Sequence, residues 1–204
     1  MAKKTILFGG SFDPIHRGHI IVAKSAAKQI GADEVVFIPT RRSPHKELFP
    51  SAGNKARLDM VSIAISEENT FQVSDCELKR PDPSYTIDTI RFFRQTFPDD
   101  TQFYWLIGAD MLAELPKWHE MDHVVDECNL SVMNRGGIDV PDVTVLEGLI
   151  GSEAVEKLKK NMISTPMVEV SSTEIRAKIA AKQDVSELLD ADVLSYIHKN
   201  RLYS

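Results

Sequence analysis

The chain has 204 residues, 43% of them apolar, and a formal net charge of −6. That suits one domain with a real core and weighs against a nucleic-acid binder, whose balance is usually basic. Its two cysteines, Cys76 and Cys128, lie far apart outside any CxxC context, which weighs against a disulfide framework or a zinc site.

The opening Met-Ala-Lys-Lys runs into residues 5–8, a candidate buried strand too short for a signal peptide and ended by Gly9-Gly10. No segment approaches about 18 consecutive apolar residues, so no membrane span is expected and the location should be cytoplasmic. Residues 18–30 place Ile20, Ile21, Ala23, Ala27 and Ile30 at helical spacing, with Gly31 as the stop. Residues 34–38 read as the second strand, ended by Pro39. A helix over 54–65 follows, with Leu58, Val61 and Ile65 on one face, then a weak strand over 71–73. Residues 86–97 read as a helix closed by Pro98, and 102–107 and 129–133 as the fourth and fifth strands.

Beyond this the pattern loosens. Residues 143–146 suggest a short strand, 152–161 a charged surface helix, 167–170 a last strand, and 172–182 and 190–200 two final helices. Strands alternating with helices predict an α/β fold: a Rossmann-like, doubly wound, mainly parallel sheet with helices on both faces. Residues 1–204 are expected to form one domain, a core to about residue 170 followed by a small C-terminal helical part. Ligands in such sheets bind beyond the carboxyl ends of the strands, so the chemistry is sought in the loops after them.

The first such loop reads Gly9-Gly10-Ser11-Phe12-Asp13-Pro14-Ile15-His16-Arg17-Gly18-His19. Paired glycines let backbone approach a ligand and reach positive φ. The helix that follows offers N–H groups and partial positive charge to a phosphate. His16 and His19, three apart at its start, can face one pocket and donate to phosphate oxygens. A second loop, Ser171-Ser172-Thr173-Glu174-Ile175-Arg176, carries a capping-box pattern. Facing the same edge, its hydroxyls and N–H groups become a phosphate cradle, with the Arg176 fork one turn inside. Residues 41–57 hold five basic side chains (Arg41, Arg42, Lys46, Lys55, Arg57) against one acid, Glu47, which reads either as a solvated loop or as an electropositive lid.

Residues 10–19 resemble the signature of the HxGH nucleotidyltransferases and, within them, the opening of the bacterial nicotinate-nucleotide adenylyltransferases. Ser-Ser-Thr-x-Ile-Arg resembles that family's C-terminal motif. The resemblance extends to Pro44-His45-Lys46, Ser84-Tyr85-Thr86, Gly108-Ala109-Asp110 with Leu115-x-x-Trp118, and the ending Tyr196-Ile197 with Leu202-Tyr203. It departs at Asn134-Arg135-Gly136-Gly137, where the family commonly has Arg-Pro, which leaves a role for Arg135 open.

The resemblance implies adenylyl transfer from ATP to nicotinate mononucleotide, giving nicotinate adenine dinucleotide and pyrophosphate. The acceptor phosphate is already an anion near neutral pH and needs no general base. Catalysis then consists of positioning and charge neutralisation. By resemblance His16, His19 and Arg176 are catalytic. Gly9, Gly10, Ser11, Phe12, Ser172 and Thr173 join them in binding ATP. Lys46 contacts phosphate, Trp118 stacks on the pyridine ring, and the N–H groups of Tyr85 and Thr86 receive the nicotinate carboxylate. Asp110 contacts ribose or a metal-bound water. Read without the resemblance, Trp118 is simple core and Asp110 an alternative N-cap. Mg2+ is expected on the ATP phosphates with most of its waters, so no protein ligand is assigned. Alternatives are nicotinamide mononucleotide or another phosphate-bearing acceptor such as phosphopantetheine, and, outside catalysis, a nucleotide-binding regulatory module or an RNA-binding protein. The possibility of a homo-oligomer stays open.

Overall fold

The computed structural model describes residues 2–42, 49–135, 142–166 and 170–204. Six strands form one sheet: β1 (Lys4–Gly10), β2 (Glu34–Pro39), β3 (Phe71–Val73), β4 (Gln102–Gly108), β5 (Asn129–Arg135) and β6 (Met162–Thr165). Their order is β3-β2-β1-β4-β5-β6, and every neighbouring pair is parallel. This is the doubly wound order of a Rossmann-like fold, with its reversal between β1 and β4.

Successive strand residues point to opposite faces, so each central strand feeds two cores. Ile6 and Phe8 of β1, with Val35 and Phe37 of β2, pack under α1 (Arg17–Ile30), α2 (Asn54–Ala64), α7 (Ser172–Ala180) and α8 (Ala191–Lys199), through Ala23, Met60, Val61, Ile175, Val193 and Ile197. Leu7, Val36, Phe103 and Trp105 pack on the other face against α4 (Thr86–Thr96), α5 (Met121–Glu127) and α6 (Glu147–Lys160). Burial on both faces explains why β2 reads as an unbroken apolar run after Glu34. A short helix, α3 (Cys76–Lys79), precedes α4. The C-terminal helices share the core of the α1 face rather than standing apart from it.

Gly31 ends α1 as its pattern predicts, in the left-handed region at φ 67° with its N–H bonded to the Ala27 carbonyl. Residues 143–146 are not a strand. Val143 and Leu146 are buried while Thr144 and Val145 are exposed, and this spacing of three suits the 3-10 turn found at Thr144–Leu146. The edge strand β6 follows α6 directly and has no counterpart in the predicted elements. Of the strand expected over 167–170, only Val170 lies within the described residues, as does none of 136–141.

One irregularity of the sheet positions the site. The β1–β4 ladder stops at Leu7↔Trp105, although β1 pairs with β2 as far as Gly10↔Pro39 and β4 with β5 as far as Gly108↔Met133. The two central strands part at their carboxyl ends, which opens a crevice at the reversal of strand order.

Candidate active site

The loop after β1 enters this crevice. Gly9 and Gly10 belong to the strand, and neither has positive φ; the left-handed residue of the turn is Phe12, at φ 46°. The glycines are needed for clearance instead. A Cβ on Gly9 would come within 2.9 Å of the Trp105 ring, and one on Gly10 within 3.0 Å of the Phe12 ring. Phe12 is 2% exposed, with its ring centroid 5.5 Å from Phe8 and 5.7 Å from Phe37. Its ring is therefore core, and Phe12 can reach a nucleotide only through backbone.

His16 caps α1 in an extended conformation. Its ring stacks on His19 at a centroid distance of 3.7 Å, and its N–H donates to His19 Nδ1 at 3.2 Å. With Nδ1 accepting, a neutral His19 carries its proton on Nε2, which makes that atom a hydrogen-bond donor. Burial, and then the neighbouring His16, hold the His19 pKa well below 6.5. Burial likewise lowers that of His16 to about 4, against a smaller opposing backbone hydrogen bond. Both histidines are thus neutral near pH 7. The α1 terminus is less open than its position suggests, because the Arg17 N–H is taken by the Leu188 carbonyl at 3.0 Å.

The two predicted loops meet. Ser172 Oγ donates to the Pro14 carbonyl at 2.9 Å, and Arg176 Nη1 donates to the Asp13 carbonyl at 2.8 Å. Arg176 Nη2 also reaches Thr173 Oγ1 at 3.3 Å. Ser171 is the cap of α7, accepting from the Glu174 N–H at 3.1 Å, as the capping-box pattern predicts. A guanidinium has five N–H donors, so Arg176 can hold the loops together and still contact an anion.

Two residues that the motif reading passed over organise this loop. Asp13, 3% exposed, accepts from the N–H groups of Ser51 at 2.6 Å and Ala52 at 2.9 Å, and from the Tyr203 hydroxyl at 2.7 Å. Arg57 is fully buried and donates to the carbonyls of Ser11, Thr40 and Ala52 and to Asn54 Oδ1, at 2.7–3.2 Å. It is a brace beneath the crevice, not part of an electropositive lid. A signal for it exists in the sequence: Arg57 falls on the helical face of Met60 and Val61, where a charge is out of place. Of the other basic residues there, Lys55 pairs with Asp59 at 2.7 Å and Arg41 with Asp82 at 3.4 Å, while Arg42 lies 5.0 Å from the Phe49 ring centroid. Lys46 lies outside the described residues, as do Pro44 and His45.

The far wall comes from β4 and α4. Asp110 is exposed just beyond β4, within the 3-10 stretch Ala109–Lys117. Gly108, not Asp110, caps that stretch, which removes the N-cap reading. A Cβ on Gly108 would collide with Asp110 Oδ1. Trp118 ends the stretch, half-buried at the rim of the core, with its N–H bonded to the Leu115 carbonyl at 3.0 Å. It is neither simple core nor fully exposed. Tyr85 is the N-cap of α4, and Thr86 its first residue. The Tyr85 ring packs on His119 at 4.3 Å, a partner unmarked in the sequence. Beneath them Glu77, raised in pKa chiefly by burial, accepts from Thr89 Oγ1 at 2.8 Å, and Arg80 donates to the same oxygen at 2.6 Å. Among the described residues, no group of three or more His, Cys, Asp or Glu could hold a metal ion, and no helix is long and apolar enough to cross a membrane.

The cytidylyltransferase-like family model matches residues 7–178. The chain is 38% identical over 205 residues to a protein of Dehalococcoides mccartyi, covering 100% of this chain and 98% of that one. It is 41% identical over 202 residues to a protein of Neisseria meningitidis serogroup B, covering 98% of each. Both relatives are named "Probable nicotinate-nucleotide adenylyltransferase". The fold is similar to that of Plasmodium falciparum nicotinic acid mononucleotide adenylyltransferase complexed with NaAD, with a TM-score of 0.75 at 20% identity over 98% of this chain and 97% of that one. The chain therefore belongs to the cytidylyltransferase-like family and, within it, to the nicotinate-nucleotide adenylyltransferases.

Proposed function

We propose that the protein transfers the adenylyl group of ATP to nicotinate mononucleotide, forming nicotinate adenine dinucleotide and pyrophosphate. The observation that carries this reading is the clasp of the two loops at the mouth of the β1/β4 crevice. Ser172 and Arg176 are tied to the carbonyls of Pro14 and Asp13, two and three residues before His16. Among the described residues, a site so furnished offers neutral donors and the Arg176 guanidinium and no activated nucleophile. That inventory suits an in-line displacement whose attacking oxygen is already anionic and whose barrier is charge building up on pyrophosphate. The His19 Nε2–H and the Arg176 fork would face the triphosphate. Ser11, Thr173 and the backbone at Gly10 would complete the cradle, and Lys46 would add charge from the loop after β2.

The acceptor would lie toward β4 and α4. Trp118 would take the pyridine ring on its face, and the N–H groups at Tyr85 and Thr86 would take the carboxylate at the positive end of α4. A neutral amide gains less there, so the acid is preferred. Mg2+, carried mainly by the ATP phosphates, would need few protein ligands. It would neutralise charge on the leaving pyrophosphate, and the exposed Asp110 would take a metal-bound water or a ribose hydroxyl.

The test is pyrophosphate release with ATP and Mg2+, with nicotinate mononucleotide set beside nicotinamide mononucleotide. The acid should be used at least about tenfold more efficiently. Preference for the amide would remove the carboxylate site at α4 and keep adenylyl transfer. Release with neither would remove both mononucleotides as acceptors.

A further inference from the structure

The ending Leu202-Tyr203 is a sequence motif to which the adenylyl-transfer reading gives no role. After α8 the chain does not trail off. Arg201 turns into the left-handed region at φ 51°, the Leu202 N–H bonds back to the Ile197 carbonyl at 3.0 Å, and Tyr203 follows at φ 64°. Such a conformation is strained for an L-amino acid, and it persists where the surroundings over-determine it. Here the surroundings are the α1-side core, against which Leu202 and Tyr203 pack. The result is a phenol delivered across 190 residues of sequence to Asp13 Oδ1 at 2.7 Å.

We propose that Tyr203 is a positioning residue for the phosphate loop: its hydroxyl holds Asp13, and through Asp13 the Ser51–Ala52 turn and the segment that carries His16 and His19. This rests on the adenylyl-transfer reading for its effect on rate, but not for its effect on the loop. Asp13 is where the ties converge. Its carboxylate gathers Ser51, Ala52 and Tyr203, with Arg176 Nη1 3.7 Å from Oδ2, and its carbonyl holds Arg176 directly. A buried carboxylate that loses one donor must move or admit water. Movement of Asp13 shifts Arg176 relative to the histidines. Burial, and then Asp13 itself, raise the Tyr203 pKa, so the phenol remains a donor.

Tyr203→Phe keeps the ring and removes the hydroxyl. We expect kcat at saturating ATP and nicotinate mononucleotide to fall about tenfold, with the KM for nicotinate mononucleotide unchanged. Amide hydrogen exchange should quicken about tenfold at Ser51 and Ala52 and across residues 11–16. Asp13→Asn should act in the same direction, and the double variant should be no worse than Asp13→Asn alone, because both changes break one connection. The inference is overturned if exchange quickens only over residues 196–204 while kcat holds, or if the two losses multiply. Should the unaltered chain release no pyrophosphate, the functional reading fails and exchange at Ser51 and Ala52 still decides this one.

Discussion

The two sides of the crevice are built differently. On the β1 side the loop is held by a dense set of side-chain-to-backbone bonds. Asp13, Arg57, Ser172 and Arg176 fasten backbone carbonyls and N–H groups from three separate segments, and His16 and His19 lock each other. On the β4 side the groups offered are the half-buried rings of Trp118 and Tyr85 and the exposed Asp110 and His119. Charge stabilisation depends on donors that do not have to reorganise, which suits the first construction. Stacking on a flat ring tolerates the second. Changes on the β1 side should therefore appear in kcat and in stability, and changes on the β4 side in the KM of the acceptor.

The sharpest way to break that division is His19→Ala. Loss of the Nε2–H donor should lower kcat by about 10²–10³, the usual effect of deleting one such donor, and should also cost some stability, because the His16 N–H loses its acceptor. A loss below about threefold would take His19 out of the transition state. Arg57→Met tests the brace. It leaves three carbonyls, one buried and two partly buried, without their donor and should destabilise the fold by about 3 kcal/mol in urea titrations. A cost below about 1 kcal/mol would mean that the crevice floor does not depend on it.

A pH test bears on the same side. The folded His16 pKa, about 4, lies below its ordinary value of 6.5 because the ring is buried. Between those values the unfolded chain binds more protons. Stability is therefore fully present above about pH 6.5 and falls as the pH drops toward 4, by roughly 2 kcal/mol from this residue at pH 4.5. His16→Gln should flatten that part of the curve; an unchanged slope would place the lost stability elsewhere. The smallest effect belongs to the other wall. Trp118→Ala should raise the acceptor KM about tenfold while leaving the KM for ATP nearly as it was. A collapse of stability instead would make the ring core after all.

What the sequence discloses follows from how its information is spaced. His16, His19 and the Ser171–Arg176 segment are each legible because the residues of each motif are contiguous and sit at helix starts. The parallel arrangement was legible because β1, β2 and β4 carry apolar runs, and β5 carries Leu130, Val132 and Met133, between turns and helices. β6 was not: in Met162–Thr165 only Ile163 and Thr165 are buried, too little for a period to register. Phe12 belongs to the motif, yet nothing local reveals that its ring turns inward onto Phe8 and Phe37. The Asp13–Tyr203 and Arg57–Ser11 bonds join residues 190 and 46 positions apart, and no pattern along the chain encodes a single side-chain contact at that range.

The most direct test of the account is the fate of the α-phosphorus. With ATP labelled at that atom, Mg2+ and nicotinate mononucleotide, the account predicts that the label passes into a dinucleotide, in equal amount to the unlabelled pyrophosphate released. Label found in free AMP, or in a diphosphate product with the acceptor unchanged, would contradict it.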